Sequence, residues 1–285
     1  MQSDPAITTL SLASPSLPRR PWVALVLSLI ATGAGQVYNG RWQKGLLFLV
    51  GEFLLGCVLA VAMGTLTGLV AAGIALLAVN IWAAADAFID ARTLREFTPG
   101  PWNRSWVYAV IVVVSLGAGA LVRNGLESFF YETYKAPSGS MIPTLQVGDH
   151  FMAEVLSADQ PVNRGDVIVF LETGSGRNFV KRVVGLPGET VAIAGQRVSI
   201  NGRPLDESFV FHSMPGTHLP GRDVMRPVRL GSDEYFCMGD NRECSYDSRW
   251  LGPIKRSSVR ARALYVYFPG PSPSGRWARL GASLR

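Results

Sequence analysis

Charge is what this 285-residue chain has least of: Asp, Glu, Lys and Arg make up 17% of it, where a soluble globular chain carries about 25%. The shortage is local. Residues 1–122 hold seven Lys/Arg and five Asp/Glu, against twenty and sixteen in residues 123–285. That split excludes a wholly soluble single domain, and 48% hydrophobic residues exclude a disordered chain. Three cysteines make no disulfide framework. Cys57 lies in an apolar run and reads as packing, while Cys237 and Cys244 read either as a pair or as two free buried thiols. The three histidines, His150, His212 and His218, stand at no short spacing from one another or from the cysteines, so neither a metal site nor a cofactor is expected. The net charge of +6 does not point to nucleic acid, because the basic residues stand singly among acidic ones. A surface facing anionic lipid head groups accounts for it.

The charge-poor part reads as membrane. A spanning helix needs about 20 mostly apolar residues. Residues 22–38 form a short apolar segment that ends in small residues. Residues 45–89 carry only Glu52 and Asp86 as charges and fold as two spans around 64–68, and residues 106–122 make a final span bracketed by Arg104 and Arg123. Arg19 and Arg20 before an apolar core resemble the start of a secretory signal, and weakly a twin-arginine one. Eighteen residues precede them and several spans follow, so cleavage is not expected. Arg92, Arg95 and Arg104 place 88–105 on the cytoplasmic side, so everything after Arg123 lies outside. Arg41 and Lys44 favour a cytoplasmic loop and hence an outside N-terminus, whereas Arg19 and Arg20 favour the reverse. The number of early spans is open on these grounds.

Within this region residues 33–40 read G-x-G-x-x-Y-x-G. Tyr38 stands where a dinucleotide fingerprint needs its third glycine, and no strand precedes. With Trp82 and Asp86 the stretch resembles a small membrane-domain family with that signature and a later W-x-x-x-D. Glycines that let helices approach closely explain the spacing equally well. Asp86 reads either as a functional intramembrane carboxylate or as an interfacial one.

After Arg123 the pattern turns to short β-rich runs at 166–170, 179–185, 190–194, 197–200, 235–238 and 263–268, punctuated by signals such as Asn201-Gly202 and 186–188 (Leu-Pro-Gly). The fold class expected is N-terminal α-helical transmembrane segments followed by a mostly-β extracytoplasmic catalytic domain. Residues 269–285, rich in Gly, Pro, Ser and Arg, read as a weakly ordered tail.

Three stretches of this half carry chemistry. Ser138 and Ser140 lie two apart around Gly139, between Pro137 and Pro143. They form a rigid turn that presents hydroxyls and backbone N–H groups, or else an ordinary surface turn. Lys181 sits inside the apolar run 178–188. Facing inward it would lose solvation and offer a neutral amine as base; facing outward it would be an ordinary surface lysine. Period two does not decide between Lys181 and Arg182. Residues 238–249 crowd charged and hydroxyl groups into one loop, suited to orienting a catalytic pair or to a polar surface.

Together with the span 106–122, the stretches S-G-S-M-I-P-T-L (138–145), K-R-V-V-G-L-P-G (181–188) and G-D-N-R-E-C-S-Y-D-S-R (239–249) resemble the boxes of bacterial type I signal peptidases, membrane-bound Ser/Lys endopeptidases. The resemblance runs from about Trp106 to Phe268. It implies Ser140 as nucleophile and Lys181 as general base, with Ser138 and the Ser140 N–H as oxyanion donors. It also implies Ser245 as the hydroxyl that orients the lysine, and Asp247 and Arg249 as a supporting ion pair. Tyr134, Ala136, Met141, Leu145 and Val180 would line shallow pockets for the small residues before the cut. The activity implied is removal of signal peptides from exported preproteins at the outer face of the cytoplasmic (inner) membrane. Preprotein signal peptides and the lipid bilayer are the expected partners, the secretion translocon a candidate one.

The corresponding division is an N-terminal tail (1–21), a multi-span region of unassigned role (22–100), an anchor span (101–123), a mostly-β peptidase domain (124–268) and a flexible tail (269–285). The alternative is a membrane scaffold or transport accessory carrying an inactive peptidase-like domain, which intact Ser140, Lys181 and Ser245 disfavour. A self-cleaving repressor-type Ser/Lys protease would need a DNA-binding module and a soluble chain.

Overall fold

The computed structural model describes residues 18–94, 97–214, 216, 219–271 and 275–284. The expectations that rest on residues 1–17, Arg95 and His218 lie outside the described residues. The chain forms two units. One holds the residues up to Ala60 together with Val70–Arg123; the other holds Val61–Leu69 and Asn124–Arg285.

The first unit is helical: α1 (Pro21–Ile30), α2 (Ala34–Tyr38), α3 (Trp42–Ala60), and most of α4 (Leu66–Thr93) and α5 (Ser105–Phe129), whose first and last turns respectively count with the second unit. Three helices, Trp42–Gly64, Leu66–Thr93 and Ser105–Val122, are long and apolar enough to cross a membrane. The first apolar segment is not. Ten helical residues span about 15 Å, half of a hydrocarbon core about 30 Å thick. The chain then reverses at Gly33, so that the Arg20 N–H reaches the Tyr38 hydroxyl at 3.4 Å and the Arg19 guanidinium lies over the Tyr38 ring. Residues 20–38 are therefore a hairpin with both ends together.

The glycine signature is what lets this hairpin close. Gly33 turns the chain at a φ of 91°, and a side chain at Gly35 would strike the Ala24 carbonyl of α1. A side chain at Gly33 would strike the Gly45 carbonyl and one at Gly45 the Gly33 carbonyl, so the closed hairpin also meets α3 backbone to backbone. The polar residues of the signature then pin the hairpin to α4. Gln36 donates to the Ala83 carbonyl (2.7 Å) and to Asp86 (3.0 Å), and Asn39 donates to the Ala87 carbonyl (2.7 Å). Lys44 closes the network on Asp86 at 2.6 Å and Asp90 at 3.2 Å. Buried amides are costly in an apolar surround unless paired. Both ends of the Gln36 amide are paired, its Oε1 accepting the Ser28 hydroxyl, whereas Asn39 is paired through Nδ2 and its Oδ1 finds no partner among the described residues.

The second unit is built on β1 (Tyr131–Lys135), β2 (His150–Val155), β3 (Val167–Glu172), β4 (Arg177–Gly185), β5 (Thr190–Ala194), β6 (Arg197–Ile200), β7 (Arg203–Pro204), β8 (Met225–Arg229), β9 (Glu234–Met238), β10 (Ile254–Lys255) and β11 (Val259–Phe268), with one short helix, α6 (Ser248–Leu251). A seven-stranded antiparallel sheet runs β1-β2-β11-β3-β4-β9-β10, and a four-stranded one runs β7-β6-β5-β8. The main core joins Phe151, Ala153, Val167, Val169, Ala261 and Val266 from the large sheet to Met141 and Leu145 of the Ser140 turn.

Two segments depart from expectation. The turn Val61–Leu69 packs on the back of β1, β2 and β11: Leu66 lies against Met152, Leu264 and Tyr265, and the Tyr265 hydroxyl donates to the Met63 carbonyl at 2.8 Å. Of residues 269–285, read from composition as a flexible tail, residues 281–284 instead pair with β11, and Leu284 is 1% exposed within the core. All three cysteines are free, Cys237 buried and Cys57 and Cys244 exposed.

Candidate active site

Pro137 and Pro143 stiffen the loop between β1 and β2, which turns through one 3-10 step at Gly139–Met141 and leaves Ser140 7% exposed. On the neighbouring β4, Lys181 and Arg182 are both buried. Their partners differ. Lys181 Nζ lies 2.9 Å from Ser140 Oγ and donates to the Val180 carbonyl at 2.9 Å. Arg182 makes a bidentate pair with Asp240 at 2.9 and 2.7 Å and donates to the Gly165 carbonyl. Burial holds the Lys181 pKa down at about 8, against an ordinary lysine value of about 10.4. At pH 7 that leaves about a tenth of the amine neutral, about two hundred times the fraction of a solvated lysine.

The loop after β9 backs this pair. Gly239 has no room for a side chain, since a Cβ there would meet Ser245 Oγ at 2.3 Å and the Ser140 carbonyl at 2.5 Å. Asn241 holds the nucleophile turn from behind: its N–H donates to the Ser140 carbonyl and its Nδ2 to the Gly139 carbonyl, both at 3.1 Å. Asp247 and Arg249 pair at 2.8 Å with side chains 0% and 1% exposed, and Asp247 also accepts the Gly239 N–H at 2.9 Å. The Asp247 charge favours protonated Lys181, and the Arg249 charge opposes it. Burial also pushes the Cys237 thiol up, which keeps it neutral beside the lysine.

Ser138, Ser140, Lys181, Ser245, Asp247 and Arg249 lie in this neighbourhood, and two of them do so in a way that qualifies the role expected. Ser138 Oγ is exposed and donates to Ser140 Oγ at 3.3 Å, so it reaches the nucleophile from the open side. Ser245 is buried against Gly239, and its Oγ has no hydrogen-bond partner among the described residues; the orienting bond to Lys181 is not made in this state. Ala136, Met141 and Leu145 are buried in the core beside Ser140, with Tyr134 and Val180 half-buried against them. Sequence reasoning missed Asp240, Asn241, Thr144 and Arg182 as parts of the frame. The signal was present in the charged letters of 181–182 and 239–242, but pairing across strands is invisible in either stretch alone.

A buried lysine amine at hydrogen-bond distance from a serine hydroxyl, with a second hydroxyl beside it, is the constellation of a Ser/Lys hydrolase, one of the convergent variants of the serine triad. The chain belongs to the signal peptidase, peptidase S26 family, which matches residues 103–268. It is 36% identical to a signal peptidase I of Leptolyngbya laminosa over 178 residues, 57% of this chain and 84% of that protein. It is 34% identical to a probable signal peptidase I-1 of Synechocystis over 193 residues, 65% of this chain and 91% of that one. A crystal structure of a signal peptidase I from Enterococcus faecalis aligns with 36% of this chain and 97% of that one at 30% identity, with a TM-score of 0.31.

Proposed function

We propose that Ser140 and Lys181 carry out the reaction that membership of this family assigns to the chain, serine-endopeptidase removal of N-terminal signal peptides from exported preproteins. The 2.9 Å contact between Lys181 Nζ and Ser140 Oγ carries the reading. Neutral Lys181 takes the Ser140 proton as Oγ attacks the carbonyl carbon before the cut. The Ser140 N–H and the Ser138 hydroxyl receive the oxyanion. As the C–N bond breaks, protonated Lys181 returns its proton to the leaving amine, the new N-terminus of the mature protein. Lys181 then deprotonates a water that hydrolyses the acyl-enzyme and frees the signal peptide.

The edge position of β1, directly before the Ser138–Ser140 turn, suits an extended substrate added as a further strand. Tyr134 and Val180 would form the walls of the pockets and Ala136 and Met141 their floor, too shallow for large side chains. Cleavage of a preprotein in detergent tests the assignment. Ser140→Ala is expected to lose at least about 10³-fold in rate, and Ser138→Ala about 10²- to 10³-fold in kcat. Wild-type rates in Ser140→Ala would overturn the reading.

We further propose a multi-pass arrangement in the cytoplasmic membrane with the β unit and the Val61–Leu69 turn outside. The closed hairpin at 20–38 supports it, because Arg19, Arg20, Arg41, Lys44, Arg92 and Arg104 then share the cytoplasmic side, as the positive-inside rule requires. Preproteins arrive from the secretion translocon, which is the proposed partner of the membrane region. Topology reporters fused at Arg41 and at Thr65 are expected to report cytoplasm and exterior respectively; the reverse pattern would reject this arrangement.

A further inference from the structure

The family match ends at residue 268, yet the chain beyond it returns to the site. After Gly275 a single 3-10 turn, Arg276–Arg279, leads into residues that pair with β11. The Gly281 N–H donates to the Val266 carbonyl (2.8 Å), the Val266 N–H to the Ala282 carbonyl (3.1 Å) and the Leu284 N–H to the Leu264 carbonyl (3.0 Å). The pairing of β3 with β11 stops at Arg262, so this segment takes up the β11 edge that β3 leaves. Leu284 enters the core cluster that contains Met141 and Leu145, the two buried apolar side chains of the nucleophile loop.

Arg279 makes the polar half of the same contact. Its Nη1 lies 2.6 Å from Asp149 Oδ2, and its Nη2 donates to the Thr144 carbonyl at 2.8 Å. Asp149 is 0% exposed and accepts the Gln146 and Gly270 N–H groups at 2.8 Å each. Thr144, held by Arg279 through its carbonyl, donates its hydroxyl to Asp240 at 2.6 Å, the partner of Arg182. Residues 138–149 are thus gripped on one side by the 239–247 loop and on the other by the segment after β11.

We infer that residues 276–284 are a strap that holds the nucleophile loop in its reactive geometry, with Arg279 as a positioning residue acting through Thr144 and Asp149. The inference rests on Ser140 being the nucleophile. A small displacement of a reacting group costs rate far more than it costs binding, so the strap acts on kcat rather than KM.

The test uses the full-length protein in detergent with a preprotein substrate, each variant assayed well below its own melting temperature. Arg279→Met, and a chain ended after Gly275, are expected to lower kcat at least about tenfold while KM stays within about twofold. Arg279→Lys, which keeps a cation near Asp149, is expected to recover part of that loss. The double variant Arg279→Met/Asp149→Asn removes the uncompensated buried carboxylate and is expected to regain melting temperature without regaining kcat. A kcat within about twofold of wild type in folded Arg279→Met, or recovery of kcat together with stability in the double variant, would overturn the inference. If the Met variant and the truncation do not fold, Arg279→Lys decides, and unchanged kcat there rejects the strap. Ser140→Ala runs alongside: its inactivity with unaffected Arg279 variants rejects the strap alone, and its activity rejects the underlying assignment.

Discussion

Lys181→Met is expected to give a protein that is inactive and more stable. Activity falls about 10³-fold or more, because the base that takes the Ser140 proton is gone. Stability rises because the native chain buries an amine that prefers water. Holding its pKa at about 8, against about 10.4 for a solvated lysine, corresponds to about 3 kcal/mol favouring the neutral form. The sign of the pH dependence follows from proton counting. Below pH 8 the lysine is protonated in both states, and the full cost of burying the charge weighs against folding. Between about 8 and about 10.4 the unfolded chain holds a proton that the folded chain has released, so wild-type stability rises with pH across this window. The methionine variant has no such group. Its advantage in melting temperature is therefore expected to be largest near pH 7 and to shrink toward pH 10. Wild-type kcat/KM rises over the lower part of the same range, with a midpoint near 8. Melting curves at pH 7 and pH 10 together with a pH–rate profile check all of this. A variant less stable than wild type at pH 7, or a rate that falls as pH rises through 8, would defeat the account. A serine that needs a neutral lysine ties activity to a local destabilisation, as strained or desolvated groups at active sites commonly do.

Where the sequence was legible, local physics and tertiary packing agreed. The strands 190–194 and 197–200 were read at their observed bounds, because alternating Val and Ile positions are closed off by Asn201-Gly202. β1 and β2 were not read as strands. Their sequences, YETYK and HFMAEV, mix charged and aromatic residues without clean alternation, and β1 lies at a sheet edge where outward polar residues are no burden. The question of Lys181 against Arg182 had no answer in period two, since both are buried. Each finds an oppositely suited partner from a loop some tens of residues away, Ser140 for one and Asp240 for the other. The tail 269–285 hides its ordered part for a related reason: its Gly, Pro, Ser and Arg content is that of a linker, and the order within it comes from Leu284 and Arg279 meeting distant residues. In the membrane region, hydropathy registers the apolar run at 22–38 but not its reversal, which depends on Gly33 at positive φ and on Gly35 meeting the Ala24 backbone.

The Asp247–Arg249 pair carries the second large effect, and its two members are expected to act in opposite directions on the lysine. Both side chains are almost fully enclosed. Arg249→Met leaves a buried carboxylate with only the Gly239 and Arg249 N–H groups to satisfy it, and a broken buried pair costs about 3–5 kcal/mol. Asp247→Asn keeps the shape but strands the guanidinium, with a loss of similar order. The double variant Asp247→Asn/Arg249→Met removes both charges and is expected to regain much of the stability, because a buried pair contributes little net free energy relative to a neutral isostere. Catalysis separates the two single variants. Asp247 favours protonated Lys181 and Arg249 opposes it. Loss of Asp247 therefore shifts the midpoint of the pH–rate profile to lower pH, and loss of Arg249 shifts it to higher pH. In both, kcat falls even at the new optimum, because Gly239 and the Asn241 contacts behind Ser140 rest on this pair. Chemical denaturation of the three variants, read beside their pH–rate profiles, tests the scheme. Midpoints that move in the same direction for Asp247→Asn and Arg249→Met would show that the pair acts on the lysine through packing alone and not through its charges.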